Sequence, residues 1–130
     1  MTTIRFLSVA IAAAAASSMA STATSRSEQM LKLSPETRLE QRCDARAMGA
    51  VSREHKNFKP DEFVAYAFAE TSVHGDVIKA PGGALRSAGK WYRVSYVCET
   101  SQDRMEIKSF SYALGDIVPR KDWDAHFLVP

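Results

Sequence analysis

Residues 35–51 read PETRLEQRCDARAMGAV, and they decide the fold because they predict an amphipathic helix with a cysteine in its buried face. Ser34 can accept a backbone N–H of the first turn, Pro35 suits the first helical position, and Glu36 faces the positive end of the helix dipole. With successive side chains about 100° apart, one arc of the helix collects the apolar residues Leu39, Cys43, Ala47, Ala50 and Val51.

The two sides of this predicted helix carry opposite charges. One side is acidic and the other is basic: Glu36, Glu40 and Asp44 against Arg38, Arg42, Arg46 and Arg53. Like charges at this spacing destabilise an isolated helix slightly. Two interpretations stay open: sheet residues and solvent compensate both rows, or the arginines bind an anionic partner.

The second cysteine lies in the clearest strand, residues 91–99, where Tyr92, Val94, Tyr96 and Cys98 share one face. Cys43 and Cys98 are the only cysteines, and they lack C-x-x-C spacing, so in an oxidising compartment they predict a disulfide. The alternative is two buried free thiols. A bridge would hold the helix across the sheet and stabilise the fold by about 4 kcal/mol in the loop-closure model.

The N-terminal sequence is typical of a secretory signal peptide. Residues 1–5 carry one positive charge, residues 6–16 are almost wholly apolar, and small residues allow cleavage after Ala20 or Ala23. The apolar run is shorter than the roughly 20 residues that a membrane-spanning helix needs. We therefore expect an exported mature chain without a transmembrane segment.

The chain divides into three parts. Residues 1–20 are the expected signal peptide, residues 21–32 a polar, flexible lead-in, and residues 33–130 a single domain. Removing residues 1–20 removes one cation, Arg5, and lowers the formal net charge from +2 to +1. This balance argues against bulk attraction to nucleic acid or to an anionic membrane.

Short strands are predicted between the helix and the second cysteine. Bulky and small residues alternate over residues 63–69, which indicates a strand. A short strand over residues 76–80, a turn at residues 81–83 and an extended return over residues 84–87 follow.

The last strand is predicted over residues 105–114, and its inward face changes parity halfway along. Since a strand cannot exchange its faces without an extra residue, we predict a β-bulge near Lys108–Ser109. Pro119 then begins a short terminal helix in which Trp123 and Phe127 anchor the chain end. The predicted fold is α+β: an N-terminal helix packed on an antiparallel, meander-like sheet of four or five strands, with a short C-terminal helix.

Catalytic and metal-binding signals are sparse. The sequence contains no G-x-S-x-G, H-E-x-x-H or glycine-rich phosphate motif. Three histidines and three carboxylates in predicted loops or strand ends could act only if the fold brought them together: His55, His74 and His126; Glu62, Glu70 and Asp76. We therefore predict no catalytic, cofactor-binding or metal-binding residues.

The densest binding chemistry lies between residues 79 and 93. Basic and aromatic side chains interleave there around glycines, as in surfaces that bind sugars, acidic polymers or proteins. The candidate contact surface comprises Lys79, Arg86, Trp91 and Arg93. An ordinary outward strand face is the alternative. Trp91 lies opposite the cysteine face, so either the lead-in or terminal helix covers it, or it is an exposed contact.

Five parts of the chain carry a family resemblance: Thr37–Asp44, Pro60–Asp61 with Val64–Phe68, Lys79–Gly82, Arg86 with Trp91–Arg93, and Gly115–Asp116 with Pro119–Arg120 and Trp123. In these parts the chain resembles domain of unknown function 930, a family of uncharacterised bacterial envelope proteins found largely in alphaproteobacteria. The resemblance implies no known activity. It keeps both cysteines together, which agrees with a disulfide.

These observations predict an exported periplasmic binding or interaction module without catalytic activity or cofactors. Its partner would be an envelope component or a protein, and not a nucleic acid. Two alternatives stay open: a hydrolase-type enzyme that uses loop carboxylates or a histidine, and an inhibitor of a secreted enzyme that uses the 81–83 turn as its probe.

Overall fold

The computed structural model describes residues 26–130, so the predicted signal peptide and residues 21–25 of the lead-in lie outside the described residues. A short helical segment over residues 26–31, which the composition did not predict, precedes the domain. The elements that follow are α1 (Pro35–Glu54), β1 (Pro60–Val64), β2 (Ser72–His74), β3 (Val77–Ser87), β4 (Lys90–Thr100), β5 (Ile107–Ile117) and two 3-10 turns, η1 (Arg120–Asp122) and η2 (Asp124–His126). No helix in residues 26–130 has both the length and the hydropathy that a bilayer crossing requires.

Helix α1 begins as its sequence predicts. The Ser34 hydroxyl accepts a 3.3 Å hydrogen bond from the Thr37 backbone N–H, and Pro35 lies in the first turn. The helix ends at Glu54, three residues beyond the predicted end. Its buried residues are the predicted five: Leu39, Cys43, Ala47, Ala50 and Val51.

The strands form one antiparallel sheet in the order β1-β3-β4-β5. β2 pairs with the first half of β3, and β1 pairs with the second half, so β1 and β2 share one edge of the sheet. α1 packs across one face. The helix on an antiparallel meander confirms the predicted α+β class.

A disulfide joins the two layers. Cys43 of α1 and Cys98 of β4 are bonded, their Cα atoms are 6.0 Å apart, and both residues are fully buried. The bridge lies within the main core, together with Leu39, Ile78 and Leu85. The predicted pairing across the layers is confirmed.

Two strand predictions are wrong between residues 63 and 87. The predicted strand 63–69 ends at Val64, because the following residues leave the sheet and fold back on β3, where the Phe68 N–H donates to the Gly82 carbonyl at 2.7 Å. Residues 81–83 do not form a turn. They lie inside β3, which runs continuously from Val77 to Ser87 and absorbs an extra residue between Ala80 and Gly83.

The β-bulge predicted near Lys108–Ser109 is confirmed. Ile107 pairs with Thr100 and Ser109 pairs with Glu99, so Lys108 is the extra residue. Two residues of β5 therefore lie opposite a single residue of β4. The extra residue makes the core-facing side chains in the second half of β5 point inward again.

The C-terminal segment differs in detail from the predicted helix, since it consists of two 3-10 turns. Trp123 is buried as predicted, but Phe127 is 64% exposed and is not an anchor. Phe127 adopts a left-handed backbone conformation, and the Leu128 N–H bonds to the Trp123 carbonyl at 3.0 Å. This reversal turns Leu128 inward instead.

Candidate functional site

The four predicted contact residues lie on one face of the sheet, opposite α1. In the β3–β4 register, Arg86 pairs with Trp91, and Lys79 pairs with Val97. Arg93 has the same strand parity as Trp91 and Val97, whereas the inward-facing Cys98 has the other. The topology therefore brings the predicted residues to a common face.

Trp91 is fully buried on that face, so it is not an exposed contact residue. The chain end covers it, in agreement with one of the two predicted alternatives. The Trp91 indole N–H donates to the Val129 carbonyl at 2.7 Å, and the ring packs with Val118, Trp123 and Leu128. Strand parity predicts on which face of the sheet a side chain lies but not what packs against that face. For this reason the sequence alone left open whether Trp91 is covered or exposed.

Arg86 is also held by internal contacts. Its guanidinium donates to both carboxylate oxygens of Asp61, at 2.9 and 3.2 Å, and to the Pro130 carbonyl at 2.9 Å. The hydrogen bond from Arg86 lowers the pKa of Asp61 below its usual value. Arg86 therefore ties the chain end to β1, and only Lys79 and Arg93 of the predicted surface stay exposed.

A shallow trough crosses the uncovered part of this face. It consists of two adjoining grooves of about 410 and 330 Å³, which share Pro81, Ser95 and Ala113 as lining residues. Lys79 lines the first groove, and Arg93 lines the second. These two grooves together form the trough.

The trough presents two positive charges and an exposed apolar side chain. Lys79 pairs with Val97, four residues from Arg93, so the backbone positions of the two cationic residues are about 13 Å apart along the strand direction. Neither has a carboxylate within 4 Å among residues 26–130. The Arg93 guanidinium lies 4.1 Å from the centre of the Phe68 ring, which holds it in place. Val97, 43% exposed, adds an apolar contact.

A second cavity lies between α1 and β1. It measures about 360 Å³, and Glu40, Asp44 and Glu62 supply its acidic groups. The Tyr96 hydroxyl donates to Asp44 Oδ1 at 2.7 Å. Burial, reinforced by the charge of Glu40 and opposed by the Tyr96 hydrogen bond, raises the pKa of Asp44 to about 7. A carboxyl group with this pKa can exchange a proton near neutral pH.

The charge pattern of the sequence assigns Asp44 only to the acidic row of the helix. A local signal of its burial is that Asp44 directly follows Cys43, one of the five buried residues of α1. The partner that buries Asp44, Tyr96, is 52 residues away along the chain. No local pattern predicts such a contact.

The other predicted titratable residues lie apart. Asp76 is 3.8 Å from Arg104, Glu70 is exposed, and only Glu62 shares a cavity with another carboxyl group. The three histidines occupy different places: His55 beside Tyr112, His74 on exposed β2, and His126 stacked on Phe68. Residues 26–130 contain no group of three His, Cys, Asp or Glu side chains placed to hold a metal ion.

Comparison with protein families gives a match over residues 30–128 to the Domain of Unknown Function DUF930. The matched region contains α1, all five strands and both 3-10 turns. Comparisons with curated proteins and with solved structures gave no match. The match covers most of the chain, which therefore belongs to the DUF930 family.

Proposed function

We propose that this protein is an exported, periplasmic binding module without catalytic activity, and that its trough holds an extended anionic component of the cell envelope. The single observation that carries the proposal is the pair of exposed cations, Lys79 and Arg93, on the uncovered face of the sheet. The N-terminal sequence supports export. The disulfide agrees with an oxidising compartment.

The shape of the trough suits an extended ligand. Its floor consists of small side chains, Ser95, Ser111 and Ala113, so a chain can lie close to the sheet. Ser95 and Ser111 line this floor, and their hydroxyls can hydrogen-bond to hydroxyl or carboxylate groups of a ligand. Because the two cationic residues lie at well-separated positions of the trough, a ligand with more than one negative charge can contact both.

The same geometry favours binding over the two alternatives. The charged groups lining the trough are Lys79, Arg93 and Asp116, which include no paired carboxylates of the kind a hydrolase uses; the carboxyl groups of Glu40, Asp44 and Glu62 lie in the other cavity, between α1 and β1. The inhibitor alternative needed a protruding loop at residues 81–83. These residues lie inside β3.

The binding proposal is tested by titrating the purified mature chain calorimetrically with polygalacturonate, an acidic polysaccharide, and with neutral dextran. We expect binding of polygalacturonate only, weakened by salt. The double variant Lys79→Ala/Arg93→Ala should bind about tenfold more weakly, since each exposed ion pair contributes up to about 1 kcal/mol.

The matched control is Lys56→Ala, which removes an exposed cation outside the trough. It should bind as the wild type does. Equal affinity for dextran, or an unchanged affinity of the double variant, would contradict the proposal.

Export is tested separately by expressing residues 1–130 in a Gram-negative host and measuring the N-terminus of the product by mass spectrometry. We expect a periplasmic protein that begins at Ser21 or Thr24. An uncleaved protein confined to the cytosolic fraction would refute export.

A further inference from the structure

The free edge of β5 is a second surface, which adjoins the trough because Ser111 and Ala113 of the same strand form part of the trough floor. Among residues 26–130, β5 pairs with β4 and with no other strand, so its outer side presents unpaired backbone groups. Six consecutive residue pairs, from Ser109–Glu99 to Leu114–Val94, are regular. The exposed edge is therefore straight enough to pair with another strand over this length.

The middle of this edge, residues 109–114, lacks the usual protection against pairing. Edge strands commonly carry charges, prolines or bulges that prevent other strands from adding. Residues 109–115 read SFSYALG and contain no charged residue and no proline. The bulges of β5 lie beside this segment, at Lys108 and between Leu114 and Ile117.

A cationic groove runs along the helix side of the same edge. It measures about 270 Å³, lies between the second half of α1 and β5, and is lined by Arg46, Arg53 and Lys108, of which Lys108 is paired with Glu99 at 3.8 Å. Both arginines are exposed and have no carboxylate within 4 Å in the described part of the chain. Glu54 also lines the groove and keeps its charge while its carboxylate accepts a hydrogen bond from the Tyr112 hydroxyl, so three cationic side chains line the groove against one carboxylate.

We propose that β5 binds an extended acidic segment of a partner protein, which adds to the sheet as a further strand. The partner backbone would pair with residues 109–114, and alternate acidic side chains would face Arg46 and Arg53. These arginines are seven residues apart on α1, or about 10 Å along the helix. Side chains on one face of a strand recur about every 7 Å, so two or three acidic residues at alternate positions span this row.

Repulsion between like charges disfavours a second copy of this chain as the partner. Antiparallel two-fold pairing of β5 with itself would place both copies of α1 on the same face of a continuous sheet. The Arg46 and Arg53 row of each copy would then face the same row of its neighbour. An acidic strand instead supplies the missing opposite charge.

The test uses a short synthetic peptide in which Glu and Val alternate, added to the ¹⁵N-labelled mature chain. We expect hydrogen-exchange protection of the outward-facing amides within residues 109–114.

The same peptide with Gln in place of Glu should bind about tenfold more weakly, and so should the double variant Arg46→Ala/Arg53→Ala, because each loses two exposed ion pairs. A Glu–Val peptide with N-methylated alternate amides tests the strand pairing, since it keeps the charge but cannot form the backbone bonds; it should not protect residues 109–114.

The control is the trough variant Lys79→Ala/Arg93→Ala, which should bind the peptide as the wild type does. If that variant loses peptide binding and Arg46→Ala/Arg53→Ala keeps it, the peptide occupies the trough and the edge proposal is wrong. Equal binding of the Glu and the Gln peptides would also overturn the edge proposal. So would sedimentation equilibrium if it showed that self-association of the chain accounts for the protection of residues 109–114. Failure of polygalacturonate binding leaves this result unaffected, so the two proposals fail separately.

Discussion

The Tyr96 hydroxyl donates a 2.7 Å hydrogen bond to Asp44 Oδ1, and this contact links α1 to the inner face of β4 two residues from the disulfide. Burial raises the pKa of Asp44 from 3.8 to about 7. The folded protein therefore holds this proton more tightly than the unfolded chain does. The resulting stabilisation is complete below about pH 4 and is lost as the pH rises to about 7.

We predict that Asp44→Asn is more stable than the wild type at pH 8. Asparagine keeps an oxygen for Tyr96 to donate to and removes the buried charge. The gain in the free energy of unfolding is at most about 4 kcal/mol, because one unit of pKa shift corresponds to about 1.4 kcal/mol. It should fall toward zero near pH 4. Urea unfolding at pH 4, 6 and 8 measures it. Glu36→Gln, at an exposed position of α1, is the control and should show no such pH-dependent gain; a loss of stability in Asp44→Asn at pH 8 would contradict the prediction.

Loss of the disulfide is expected to leave a marginally stable domain. The double variant Cys43→Ser/Cys98→Ser should lose about 4 kcal/mol of unfolding free energy in the loop-closure model, out of the roughly 5–15 kcal/mol typical of small domains. Urea unfolding with and without dithiothreitol measures this loss. The reductant should destabilise the wild type and leave the double variant unchanged. Two titratable thiols in denatured, unreduced wild-type protein would show that the bridge does not form.

Two neighbouring residues of the C-terminal segment should differ strongly in how much stability is lost when each is replaced by alanine. Leu128 is 2% exposed and packs beside Trp91, whereas Phe127 is 64% exposed. Leu128→Ala should cost about 2–5 kcal/mol of stability because it leaves a cavity over the indole ring. Phe127→Ala should cost about 0.5 kcal/mol, the lower range for aromatic pairs, since its ring contacts only the exposed Tyr66 ring among aromatic groups.

Thermal unfolding and tryptophan emission check this pair of variants. Leu128→Ala should also shift the emission to longer wavelength, because water reaches Trp91 more easily. A larger loss of stability in Phe127→Ala than in Leu128→Ala would contradict the observed packing of the chain end.

Gly82 allows the 65–71 segment to pack against β3. A Cβ atom at this position would lie 2.6 Å from the Ala69 backbone nitrogen. Gly82→Ala should therefore cost about 2 kcal/mol or more, since backbone and not a flexible side chain must move. Gly49→Ala is the matched control. Its Cβ would meet only the guanidinium end of Arg53, at 3.1 Å, so the higher helix propensity of alanine should make it neutral or stabilising by up to about 1 kcal/mol. Unfolding midpoints in urea compare the two, and equal stability of Gly82→Ala and the wild type would refute the prediction.

Predictions that depend on a local period agree with the structure. The spacing of Leu39, Cys43 and Ala47 predicts the buried face of α1, and the parity change in β5 predicts the bulge at Lys108. The errors occur where residues distant in sequence meet. Residues 65–69 have the alternation of a strand, but their backbone bonds to Gly82 and leaves the sheet.

The candidate site was predictable in part. Strand parity placed Trp91 opposite the cysteine face, and the β3–β4 register shows that Lys79, Arg86 and Arg93 lie on the same face as Trp91. Parity contains no information about the chain end, which buries Trp91 and binds Arg86. The exposed part of the surface, with Lys79 and Arg93 at the trough, follows only from that covering.

The amino-acid sequence by itself determined the helix, its buried face, the inward direction of both cysteines and the α+β class, because these features depend on the spacing of side chains along a single segment. Only the tertiary structure decided which cations stay exposed, why Asp44 holds its proton to about pH 7 and which strand edge is open. These properties depend on burial and charge between segments that are far apart in the chain, and no single segment contains both partners.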